Sequence, residues 1–180
     1  MKKLLQKIFG QTNKIIDLEN SNKISEQHIE TIEPLKQYAE KIILEKEYKF
    51  MYENFIVSTQ SDLYLFLEEN NGILEALKFN FKIYKYGYPN DEAGLTSNIS
   101  GVEIYGISIV SNSEWIEELM INNRSHLRHL DKHYSNYNHY ILRFKDVTLE
   151  VISQNLEVIK MTKTELNDII NSELKNINVS

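Results

Sequence analysis

HYILRFKDVTLEVISQNLEVIKM, residues 139–161, is the stretch whose reading decides the fold of this chain. Tyr140, Leu142 and Phe144 alternate with His139, Ile141, Arg143 and Lys145, and Leu149 and Val151 alternate with Thr148 and Glu150. Successive strand residues point to opposite faces, so a period of two marks a half-buried strand. The stretch reads as three short strands, 139–145, 147–153 and 156–161, joined near Lys145-Asp146 and Gln154-Asn155. Neither junction is Asn-Gly or Asp-Gly, the dipeptides that fix a tight hairpin. If Lys145-Asp146 is a two-residue turn, Arg143 faces Thr148 and lies diagonal to Glu150. His139, Arg143, Thr148 and Glu150 then share one sheet face, and Tyr140, Leu142, Phe144, Leu149 and Val151 face the core.

Working outward, Thr162 and Glu165 have capping-box spacing and open a last helix with Leu166, Ile169, Ile170 and Leu174 on its buried face. Upstream, Ser111 and Glu114 have the same spacing, and Trp115, Ile116, Leu119 and Met120 form an apolar stripe that Asn122-Asn123 ends. A strand is expected over 102–110 and another over 77–86, where Leu77, Phe79, Phe81 and Ile83 alternate with polar residues. GYPNDEAG, 87–94, is a turn-rich loop. Leu35, Tyr38, Ala39, Ile42 and Ile43 have helical spacing, which predicts a helix from Pro34 to about Asn54. Thr59 and Asp62 predict a second, short helix through Leu63, Phe66 and Leu67, stopped by Asn70-Asn71-Gly72.

The strands are mostly neighbours in sequence, without regular βαβ alternation. That pattern predicts an α+β fold, with an antiparallel sheet of about five strands and helices packed mainly on one face. Residues 1–25 read as a helical arm and polar connector, and 26–180 as one domain.

Composition narrows the function classes. The 180 residues include no cysteine, which removes disulfides, thiol nucleophiles and cysteine metal sites, and fits a cytoplasmic location. The basic start MKKLLQKIFG is broken by Gln6 and Lys7, and no small-residue cleavage site follows closely, so it is not read as a signal peptide. No apolar run approaches the ~18 residues of a membrane span. A net charge of −6 disfavours nucleic-acid binding and suits a basic protein partner.

Three constellations carry the candidate chemistry. His126, His129 and His133 stand at i, i+3 and i+7, within ~60° of one another on a helix. Imidazoles so placed can share a metal, but HLRHLDKH lacks the HExxH pattern, and a polar helix face is the favoured reading. His139, Arg143 and Glu150 are catalytic candidates: Arg143 would hold a carboxylate or phosphate, with His139 or Glu150 as acid or base. The favoured reading is a cross-strand ion pair. Tyr84, Tyr86 and Tyr88 alternate at the end of a strand, followed by Asp91 and Glu92. Tyrosines anchor protein interfaces and acids steer basic partners, so these five residues are the binding candidates. No sequence feature calls for a cofactor: Walker A, GxGxxG and GxSxG patterns are all absent.

YKYGYPNDE (84–92), NSEWIEEL (112–119) and HYILRFKDVTLEV (139–151) resemble segments of a group of small bacterial proteins of unassigned activity, over roughly residues 50–160. Members of that group carry His where this chain has Lys145, ahead of Asp146, so the lysine removes an imidazole from any inherited catalytic or metal role. Small acidic bacterial proteins of this kind are similar to immunity proteins. The resemblance implies a non-enzymatic module that recognises another protein and neutralises a toxin. The alternative is a small hydrolase or metal-binding enzyme with its site in 126–150.

Overall fold

The computed structural model describes residues 35–50, 55–87 and 99–177. Expectations for residues 1–34, including the N-terminal arm, lie outside them, as do Tyr88, Asp91 and Glu92. From Lys36 onward the chain forms one compact unit.

The fold is α+β. Seven antiparallel strands make one sheet in the order β1-β5-β6-β7-β4-β3-β2. They are β1 (Tyr38–Lys41), β2 (Phe55–Ser58), β3 (Asp62–Asn70), β4 (Ile73–Gly87), β5 (Gly106–Ser111), β6 (Asn138–Arg143) and β7 (Thr148–Thr162). Two helices are described, α1 (Glu114–Asn123) and α2 (Lys163–Ile177), with a single 3-10 turn at Asp131–His133. The expected five strands are therefore seven: β1 and β3 replace two expected helices, β2 is a further strand at 55–58, and the two strands expected over 147–161 are the single strand β7.

The helix expected over 34–54 does not form in its described part, 35–50. Gln37 and Ala39 are buried while Lys36, Tyr38 and Glu40 are exposed, a period of two. β1 pairs with the edge of β5, Tyr38 opposite Ser111. Pairing to a sheet edge overrides the helical spacing of the apolar residues. Residues 42–50 then cross the sheet without regular structure and bury Tyr48 and Phe50 against it.

The helix expected from Thr59 is β3. Leu63, Tyr64, Leu65 and Phe66 are all buried, as in a strand covered on both faces, where apolar residues run on instead of alternating. Thr59 does take the amide of Asp62, 2.9 Å from its hydroxyl, but the pair closes a turn between β2 and β3. Asn71-Gly72 is a hairpin turn, not a helix stop. Both residues have positive φ, 51° and 80°, as a tight two-residue turn requires.

The 139–161 stretch forms two strands, not three. Phe144 N donates to Val147 O at 2.9 Å, so Lys145-Asp146 is the two-residue turn. Gln154-Asn155 is not a turn: β7 runs through it as a bulge, passing from Ser153 opposite Phe81 to Leu156 opposite Phe79. Ser153 is buried there, with its hydroxyl 2.9 Å from the Asn80 carbonyl.

The main core lies on one side of β3–β7. Leu63, Leu65, Leu77, Phe79, Tyr140, Leu142, Phe144, Leu149 and Val151 pack there under Tyr48 and Phe50. A second cluster joins Tyr64, Phe66, Ala76 and Met161 to Leu166 and Ile169 of α2. The expected capping box opens α2, with Glu165 N donating to Thr162 Oγ1 at 3.2 Å and Glu165 Oε2 accepting from Thr162 N at 2.6 Å.

Candidate functional site

The expected register is present: Arg143 lies opposite Thr148 and Ile141 opposite Glu150. On the other side of β7, Lys85 lies opposite Glu150. His139, Arg143, Thr148, Glu150 and Lys85 therefore form one polar row across β6, β7 and β4. It lies on the sheet face opposite Tyr140, Leu142 and Val151.

α1 seals the His139 end of this row. Ser113 is the N-cap of α1, and its hydroxyl accepts from Ile116 N at 3.3 Å. The same oxygen lies 2.9 Å from His139 Nδ1. With the hydroxyl donating to Nδ1, the ring proton sits on Nε2, 3.5 Å from Glu150 Oε2. Nε2 is buried and makes no hydrogen bond of ordinary geometry at that distance. Trp115 meets the imidazole edge-on at 5.3 Å, and Lys85 Nζ lies 3.9 Å from the centre of the indole. Gln37, buried on β1's approach, accepts from Glu114 N at 2.9 Å and holds the first turn of α1.

His139 is 2% exposed and Arg143 4%. The imidazole beside it, chiefly, holds the Glu150 carboxyl below the usual carboxylate range, with Lys85 and Arg143 adding to the effect against desolvation. Burial pulls the Arg143 guanidinium down, and Glu150 opposes this. A serine hydroxyl, an imidazole and a carboxylate in line can relay a proton. Here the imidazole at its centre is buried, Glu150 keeps 29% of its side chain exposed, and the serine is occupied in capping a helix.

Sequence spacing put the N-cap at Ser111; it is Ser113. The position is found by asking which hydroxyl stands three residues before a free helical amide. Its contact with His139, 26 residues away, is tertiary and leaves no local trace. Trp115, on the apolar stripe of α1, is half-buried, because α1 lies across the end of the row and the indole is covered partly by Lys85.

The histidines at 126, 129 and 133 do not lie on one helix. α1 ends at Asn123, residues 124–128 form successive turns, and Leu130 is extended. His129 contacts Asp131 through Nε2, and its Nδ1 is 3.0 Å from Asn123 Nδ2. Arg124 grips the same Asp131 through two nitrogens at 2.8 and 3.3 Å. Arg124 and His129 together hold the Asp131 carboxyl down at about 2. Among the described residues, no three His, Cys, Asp or Glu side chains gather closely enough to hold a metal ion.

Of the tyrosines, Tyr84 is half-buried against the core, edge-on to Phe81 at 5.2 Å. Tyr86 is 44% exposed. No helix among the described residues is long and apolar enough to cross a membrane.

Set against known protein families, characterised proteins and solved structures, the chain matches none.

Proposed function

We propose that this chain is a non-enzymatic protein-recognition module acting in the cytoplasm, and that its specific task is to neutralise a toxin in the manner of an immunity protein. The supporting observation is a contrast in exposure. His139, the centre of the candidate chemistry, is 2% exposed, whereas Tyr86 is 44% exposed; Tyr84, the other interface candidate among the described residues, is half-buried. A base that takes a proton from substrate needs access to it; an anchor residue needs an open, amphipathic ring. On this reading both helices pack on the polar-row face, and the tyrosine end of β4 with the loop after it is left to the partner. The acidic charge then steers a basic protein, with Asp91 and Glu92 in that loop.

One observation favours a second reading, a small hydrolase at His139, Arg143 and Glu150. It is the 2.9 Å approach of Ser113 Oγ to His139 Nδ1. The two readings separate in one experiment, capture of partners from the native host by the tagged full chain. The module reading expects a basic protein at fixed stoichiometry, with association slowed at low salt by Asp91→Asn and Glu92→Gln. Absence of any such partner, together with a small molecule that stabilises the wild type but not His139→Gln, would favour the hydrolase.

A further inference from the structure

We propose that the loop from Arg124 to His133 is a peripheral membrane tip that takes the anionic surface of a lipid bilayer, with Leu127 as its inserting residue. Leu127 is 103% exposed, and Leu130 and Ile121 beside it are exposed as well. A leucine that contributes nothing to the interior gains only when another phase covers it.

The loop is built, not frayed. Asp131 is gripped by Arg124 and His129, His129 is fixed to Asn123, and the His129 ring stacks at 5.8 Å on buried Tyr134. These contacts hold the turns at 124–128 in one shape and leave Leu127 pointing away from the protein. Preorganisation of this kind lowers the ordering cost of docking.

Charge selects the occupant. The chain as a whole carries −6. Residues 124–133 instead carry Arg124, Arg128 and Lys132 against the single acid Asp131, with His126 and His133 among them. An apolar tip ringed by long-stemmed cations fits a bilayer interface, where the stems reach phosphates while the leucine enters the acyl boundary. An apolar pocket in a partner protein would be met by a single anchor; here Leu127 and Leu130 are interleaved with cations along the whole segment. Glu114 lies at the far end of α1, and Glu117 acts on Arg124, which is already paired with Asp131; the cations left to the tip are Arg128 and Lys132.

The test is co-sedimentation of the full chain with phosphatidylcholine vesicles and with mixed phosphatidylcholine–phosphatidylserine vesicles. The wild type is expected to partition onto the anionic vesicles and not onto the zwitterionic ones, and to be released by salt. Leu127→Asp should lower partition by about tenfold or more through lost insertion. Arg128→Glu with Lys132→Glu should lower it at least as far, since each cation near the surface contributes about 1 kcal/mol of attraction. Both variants alter exposed side chains, so their melting temperatures should match the wild type, which separates loss of binding from loss of fold. Wild-type protein that stays in the supernatant with anionic vesicles would overturn the proposal and leave the loop to an acidic protein pocket. Vesicle binding that survives Leu127→Asp would also overturn it, by placing the membrane contact elsewhere in the chain.

Discussion

Glu75 sits with 8% of its side chain exposed, 2.8 Å from Tyr48 Oη and 3.1 Å from both Lys46 Nζ and Lys160 Nζ. These donors, Tyr48 first, hold its carboxyl down at about 2, against an ordinary 4.5. A depressed carboxylate stabilises the fold above its unfolded pKa and loses that contribution as pH falls toward the folded one. The contact pins residues 42–50 across the sheet, and Tyr48 is in turn pushed up to about 12, by burial and then by Glu75. Stability measured by urea titration is therefore expected to decline between about pH 4.5 and pH 2, and Glu75→Gln should flatten the decline in that window. An unchanged pH profile in Glu75→Gln would contradict the role given to this residue. Trp115 tests the seal over the polar row at the same scale. Full burial of an aromatic would make Trp115→Ala cost ~3–5 kcal/mol; half-burial under Lys85 lowers the expected loss to about 2 kcal/mol. A loss under about 0.5 kcal/mol, the scatter of ordinary surface changes, would show that α1 does not depend on its indole.

The elements differ in how far local sequence announces them. The register of β6 and its turn into β7 is legible, because Tyr140, Leu142 and Phe144 alternate with His139 and Arg143 and a slip of one position would exchange the two faces, although His139, Ile141 and Arg143 are buried as well. α2 is legible through its cap and apolar stripe, and α1 through its stripe, its cap being Ser113 and not Ser111. β3 is not: Leu63 to Phe66 are buried on both faces, which erases the alternation that identifies a strand. Asn71-Gly72 fits a helix stop as well as a hairpin turn, and only the strand identity of the segment before it selects the hairpin. The bulge at Gln154-Asn155 imitates a turn in composition while β7 continues through it. For the site, register on the sheet was predictable, but the approach of Ser113 and Trp115 to His139 was not, since it depends on where α1 crosses the sheet. Gly72 has φ 80° with open space around its Cα, so Gly72→Ala meets backbone strain alone. The expected cost is about 1 kcal/mol, read as a lower urea midpoint at constant slope. A midpoint equal to the wild type would mean that the turn does not need a left-handed residue.

The whole molecule is organised around the pairing of β4 with β7, which joins Ile73 to Thr162 and Gly87 to Thr148. These partners are far apart in sequence, and the sheet is completed from its centre outward to the four-residue edges β1 and β2. Amide exchange should accordingly be slowest in β4, β6 and β7. β1, β2 and α1, which has no fully buried residue, should exchange through local opening. Fastest protection loss in β7 would contradict this hierarchy. The same architecture separates the two candidate activities. His139, Arg143 and Thr148 of the polar row are buried, while Lys85 and Tyr86 toward the end of β4 are exposed. The most direct test of the proposed function is the dissociation rate of the captured protein partner from two variants measured side by side. Tyr86→Ala is predicted to accelerate dissociation by about tenfold or more, as the loss of an interface anchor does, while Ser113→Ala leaves the rate within about twofold of the wild type. The reverse pattern, with Tyr86→Ala silent and Ser113→Ala accelerating release, would place recognition at the polar row and contradict the account.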